Sequence, residues 1–298
     1  MPKICYVSKR FNDDGQDKIA KANTIIEEYR GQGYELTLRQ LYYQFVARDF
    51  IKNNFREYKN LGNIINDARL AGLIDWNAIV DRTRNLRELS HWSEPGSIIR
   101  ACAEQFRLDH WAGQEYRPEV WIEKDALVGV IESVCERNDV PFFSCRGYTS
   151  QSELWSAAMR LKAHADGGQT PIVFHLGDHD PSGVDMTRDI VDRLRLFAEQ
   201  DIEVKRLALN MSQVNKYNPP PNFTKATDSR CAGYREQFGD DCWELDALEP
   251  SVINDLVQGA IDSIRGQKQW DKIARQQKKH REDLSQVATH WKEIVKKI

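Results

Sequence analysis

The stretch 171–183, PIVFHLGDHDPSG, constrains the fold more tightly than any other. Pro171 opens a short apolar run whose length and β-branched content suit a buried strand, and the run ends in two carboxylates, Asp178 and Asp180. Side chains two apart on extended backbone point the same way. The pair is therefore expected to project together from the carboxyl end of the strand, where open α/β sheets place their ligands. Close carboxylates repel, and a divalent cation is the usual means of holding both ionised; Mg2+ takes one or two carboxylates plus phosphate oxygens and water. Glu123, at the end of a second apolar run over 118–122, is the third candidate ligand. Asp-x-Asp followed by Pro-Ser-Gly also makes a good turn with no metal. The equivalent strand-end position of Glu123, again ahead of a helical pattern, favours the metal site.

Strands are predicted at 118–123, 140–145, 171–177 and 202–209, and helices at 125–137, 150–165 and 184–199. That alternation marks an α/β fold with a mainly parallel sheet flanked by helices. Ahead of it, 15–32 reads as an amphipathic helix. A second begins at Thr37, which forms a capping box with Gln40, and buries the stripe Leu38, Leu41, Tyr42, Phe45 and Val46. Tyr43 is rotated about 100° from that stripe and lies one turn from Arg39, so these two share another face, expected to look outward. A third helix carries Tyr58, Leu61, Ile64, Ile65, Ala68 and Arg69 and ends near Gly72. Short helices followed by extended basic sequence, which includes Arg84, suit a winged-helix or helix-turn-helix module; a small structural helical domain is the alternative.

The expected organisation is 1–95 for this helical domain, 96–117 for a linker, 118–265 for the metal-binding α/β domain and 266–298 for a basic tail. In the tail nine Lys or Arg stand against four Asp or Glu on a helical pattern that could lie on DNA, pack on a second subunit or be solvated. The Pro-rich loop before it carries Lys225 and Arg230, which reach a phosphate or are merely solvated. The net charge of −3 leaves a polyanion partner open, because basic residues can cluster on one face. The six cysteines include no Cys-x-x-Cys pair, which argues against a structural zinc. With no signal-peptide pattern and no apolar run of about 18 residues, a soluble, cytoplasmic protein of a reducing compartment, with no membrane partner, is expected.

Three features together resemble a known family. Glu123-Lys124 follows the first strand, Gly147-Tyr148 the second, and Asp-x-Asp-Pro-x-Gly the third. This order is similar to the Toprim domain as used by the topoisomerase VI A subunit and the meiotic transesterase that makes recombination breaks, and closest to compact bacterial or phage members. That family carries a winged-helix domain in front of Toprim, with its active tyrosine in a segment like Arg-(Asp/Glu)-Leu-Tyr-Tyr. TLRQLYYQF matches it with Arg39, Gln40, Leu41, Tyr42 and Tyr43, Gln40 replacing the usual acid. The resemblance spans roughly residues 35 to 250 and implies Tyr43 as nucleophile, assisted by Arg39. It also implies Mg2+ or Mn2+ on Glu123, Asp178 and Asp180, Lys124 as a phosphate contact or a salt-bridge partner, and a 5′-phosphotyrosyl product. Arg39, Arg69, Arg84, Lys225 and Arg230 are the candidate DNA contacts.

Double-stranded DNA is the implied partner, and cutting both strands implies a homodimer in which the tyrosine of one protomer works with the metal of the other. No Gly-x-x-x-x-Gly-Lys-Ser/Thr loop is present, so any ATPase would be a separate subunit. Two alternatives stay open: a Toprim nuclease in which the metal activates water, and a non-catalytic DNA-binding component of a phage or defence assembly. His175 and His179, with no further His-rich motif, are weak support for a metallophosphatase.

Overall fold

The computed structural model describes residues 3–80, 89–223 and 230–297. Helices α1 (Asp13–Gly31), α2 (Leu38–Ala47) and α3 (Phe55–Leu70) pack into one module, and each starts at a side-chain cap. Asn12 accepts from Gly15 N–H, Thr37 and Gln40 form the expected capping box, and Asn54 accepts from Glu57 N–H. Ile25, Tyr29, Leu36, Leu41, Phe45, Leu61 and Ile65 form the centre of its core.

Helix α2 departs from a one-sided stripe, because all seven residues from Gln40 to Val46 are buried. Its first face packs on α1 and α3. Its second face is covered by the chain around 245–249, where Gln44 donates to Glu249 at 3.0 Å and Tyr29 hydrogen-bonds the same carboxylate. The outward-looking position expected for Tyr43 is therefore an internal one.

The second body is a four-stranded sheet, β1 (Tyr116–Ile122), β2 (Phe142–Ser144), β3 (Thr170–Leu176) and β4 (Glu203–Ala208), in the order β2-β1-β3-β4 with every pair parallel. Helices α5 (Val128–Arg137), α6 (Gln151–Asp166) and α7 (Pro181–Ala198) follow the first three strands, close to the expected bounds. Alternation along the strands divides two apolar layers. Val120, Ile122, Phe174 and Leu176 meet α5 and α10 (Pro250–Ile264), while Trp121 and Val173 meet α6 and α7. Because Ile122 pairs with Leu176, the residues that follow β1 and β3 leave the sheet side by side.

Beyond β4 come α8 (Met211–Tyr217), α9 (Cys231–Phe238) and a short antiparallel pair, β5 (Asn222–Phe223) with β6 (Asp241–Cys242). The segment read as a linker around a short helix over 98–108 does carry a helix, α4 (Pro95–Gln105), and its packing partner is the tail helix α11 (Gln267–Thr289), itself followed by α12 (Trp291–Val295). Arg281 donates to Phe106 O at 2.8 Å, Leu108 N–H donates to Gln277 at 2.7 Å, and Trp270 packs on Trp111. Among the described residues no helix is long and apolar enough to cross a membrane.

Candidate functional site

The site is assembled at the carboxyl ends of β1 and β3. The backbone N–H of Asp178 donates to Glu123 Oε2 at 2.8 Å, which ties the two strand ends together. Asp178 is buried; its Oδ1 accepts from Leu245 N–H at 2.8 Å and its Oδ2 lies 2.9 Å from Lys124 Nζ. Asp180 does a different job, since it caps α7 by accepting from Gly183 N–H at 2.6 Å. The two aspartates therefore have separate partners. The backbone between them stays extended, His179 bridging to Trp243 and Asp180 still extended as the N-cap, and the chain turns into α7 only at Pro181. Gly183 is required at this turn: a Cβ there would lie 2.2 Å from Asp178 O. Arg206 of β4 braces the turn from below, donating to the carbonyls of Gly177, Asp178 and Gly183.

Lys124 is the hub of the acids. Its ammonium lies 2.9 Å from Asp178, 2.9 Å from Glu244 and 2.8 Å from Asp246. Arg39 reaches across from α2 to pair with Glu244 and, at 3.3 Å, with Asp246. Asp246 is buried and held by these charges alone, since no well-directed hydrogen bond reaches its oxygens. Glu244 and Asp246 escaped the sequence reading. The signal was there, because WELD repeats the two-apart spacing of Asp178 and Asp180.

Five carboxylates, Glu123, Asp178, Asp180, Glu244 and Asp246, thus share one neighbourhood with three cations, Lys124, Arg39 and Arg206. Burial pushes Asp178 up to about 7; Lys124 opposes the rise while Glu123 and Asp246 add to it. Burial, joined by Asp180, also raises Glu123. For Lys124 burial disfavours the charge, but Asp178, Asp246 and Glu244 outweigh it and hold the ammonium protonated. Among the described residues no three His, Cys, Asp or Glu side chains are placed to close on one metal ion. Glu123 and Asp178, whose charges act on each other, nevertheless match in kind the one or two hard carboxylates that Mg2+ takes, in a cluster with surplus negative charge.

A cavity of about 470 Å³ separates the helical module from the strand ends, and Arg39, Tyr43, Asn53, Asp180, Asn222 and Glu244 all line it. Asn222 Nδ2 bridges Tyr43 Oη, at 3.2 Å, and Glu244 Oε1, at 3.3 Å. Tyr42 donates to Asn53 Oδ1 at 2.9 Å and packs edge-on against Tyr58. Tyr43, only 3% exposed, departs from the open cleft expected of it. Its phenol sits above the ordinary value through burial and the Glu244 charge, with Asn222, Arg39 and Lys124 opposing. Arg39 does act on the phenol in the expected direction, while its guanidinium also pairs with Glu244 and Asp246.

The remaining candidates fall elsewhere. Arg69 donates to Trp76 O at 2.6 Å and lies over the Trp76 ring, a packing contact away from the cavity. Arg230 donates to Asp185 at 3.2 Å and Ser182 at 3.1 Å and meets the Tyr148 hydroxyl, joining the Gly147-Tyr148 turn to the start of α7. Arg84 and Lys225 lie outside the described residues. His175 bonds Thr187 and His179 bonds Tyr234, both buried, and burial with the nearby Arg206 pushes them down to about 3 and about 4. No protein-family model, no curated protein and no solved structure matches the chain.

Proposed function

We propose that the protein is a Mg2+-dependent DNA transesterase of the kind its motifs resemble, the helical module serving as a winged helix and the sheet as a Toprim domain. Tyr43 Oη attacks a phosphodiester of double-stranded DNA, the 3′ oxygen departs as the P–O bond breaks, and the 5′ phosphate stays on the tyrosine. Glu244, whose charge already acts on the phenol, accepts its proton, and Asn222 holds the two in register. Arg39 meets the phosphate. A bound Mg2+ or Mn2+, held by Glu123 and Asp178 with Asp180 beside them, supplies positive charge to the reacting phosphate.

One observation carries this reading: the helix-borne Arg39 and Tyr43 line the same cavity as Asp180 and Glu244, far away in sequence. Cutting both strands takes two copies. The resemblance pairs the tyrosine of one copy with the acids of the other, whereas here Tyr43 and Asp180 line one cavity within a single chain. A second reading is favoured by the burial of Tyr43 and its Asn222 hydrogen bond: a metal nuclease that activates water, with Tyr43 structural.

Incubation with supercoiled plasmid and Mg2+ followed by protease digestion separates them. Nicked or linear DNA carrying covalent protein, abolished in Tyr43→Phe, is the expected result. Cutting that survives Tyr43→Phe with no adduct would select the nuclease.

A further inference from the structure

Helix α11 has two faces of different character. Trp270, Ile273, Gln277, His280, Arg281, Leu284 and Ala288 are wholly or partly buried. At about 100° per residue these cluster on one side, which is the side that meets α4 and Trp111. Lys268, Lys272, Arg275 and Lys279 are exposed and project from the opposite side in a narrow stripe. The nearest ion pairs are Arg265–Asp262 and Lys292–Glu94, and among the described residues none involves these four. Between 268 and 279 the only acid is Asp271, which accepts from Gln267 at 2.7 Å.

Helix rise spaces the four charges over about 16 Å, enough to face about five phosphates of one DNA strand at about 3.4 Å each. Val287 is the sole large apolar side chain exposed on the described helix, and it lies beyond the stripe. An interfacial membrane helix needs an apolar face to bury, and α11 has already spent its own on the protein. The helix also starts far from the cavity. Gly266 N–H donates to Gln114 Oε1 at 2.6 Å, and Gln169, just ahead of β3, donates to Trp111 O at 2.8 Å. That end of the sheet is about 20 Å, the length of β1, from the strand ends that carry the acids.

Resting on DNA as the partner but not on the tyrosine chemistry, we propose that the exposed face of α11 is a second duplex-DNA-binding surface. It contacts phosphates through Lys268, Lys272, Arg275 and Lys279, independently of sequence. The test is binding of a labelled duplex in EDTA, where no cleavage occurs, as a function of salt. The quadruple variant Lys268→Gln/Lys272→Gln/Arg275→Gln/Lys279→Gln keeps good helix formers at exposed positions and should retain the wild-type far-UV spectrum. Four phosphate contacts correspond to a log–log salt slope that becomes shallower by about 3 to 4 units. A control with Lys292→Gln/Lys296→Gln/Lys297→Gln should change the slope much less.

An unchanged slope in the quadruple variant overturns the proposal, and so does an equal change in the control. Loss of binding to phosphatidylserine vesicles with the duplex slope intact would assign the face to a membrane instead. Failure of the tyrosine chemistry is read separately, in the covalent adduct assay.

Discussion

Replacing Lys124 by Met removes the ammonium that touches Asp178, Glu244 and Asp246. These side chains are 9%, 22% and 1% exposed, so water recovers little of the lost pairing. Removing one partner of a buried ion pair typically costs about 3–5 kcal/mol. Arg39 still reaches Glu244 and Asp246, and Met keeps much of the lysine stem. The lower end, about 3 kcal/mol, is therefore expected at pH 8.

The pH dependence follows from the sign of each shift. Asp178 already stands at about 7, above its ordinary 3.8, and loses its main opposing charge in the variant, so it rises further. A raised carboxyl binds more protons folded than unfolded, so above pH 7 the variant regains stability as the pH falls, by about 1.4 kcal/mol per unit. Glu244, despite burial, is held below its ordinary value by Lys124 and Arg39. The stability from that pairing is present above about pH 4.5 and lost below it. The gap between wild type and variant should thus be widest at pH 8 and narrow on both counts towards pH 4. Urea unfolding followed by circular dichroism measures it. A deficit below about 1 kcal/mol at pH 8, against the 3–5 expected for a broken buried pair, would refute the view that Lys124 neutralises the cluster. The same deficit at pH 8 and pH 5 would do so too. Excess Mg2+ should raise the midpoint of the variant more than that of wild type, since a divalent cation takes over the lost charge.

Gly183→Ala should destabilise by more than the usual ~1–3 kcal/mol of overpacking, because its Cβ meets the Asp178 carbonyl at 2.2 Å. Gly31→Ala, with nothing within 4 Å, is the matched control in thermal melts. His175, depressed to about 3 by burial and then by Arg206, binds fewer protons folded than unfolded. Stability should fall by about 1.4 kcal/mol per unit as the pH drops below 6.5 towards 3, and His175→Gln should flatten that slope. Tyr43→Phe removes the hydroxyl that meets Asn222, Arg39 and Glu244 and should cost about 1 kcal/mol or somewhat more in urea unfolding even as it eliminates the covalent adduct.

Local chemistry made much of this protein legible from its sequence. The Thr37–Gln40 cap, the apolar runs ending at Glu123 and Asp178, and the strand–helix alternation each depend on neighbours a few residues away. Periodicity reports such features directly, and α2, the parallel sheet and the helices after its strands lie close to where it put them. What periodicity cannot report is which second surface closes over a residue. Tyr43 is off the stripe that α2 turns towards α1 and α3, yet it is buried because the chain around 244–249 covers the other face. The same long-range packing brought Glu244 and Asp246 onto Lys124 and drew Arg39 into an ion pair. It turned Asp180 into a helix cap and paired the linker's helix with the tail. A carboxylate and an ammonium more than 100 residues apart leave no spacing between them in the sequence. Only the tertiary fold decided that they meet.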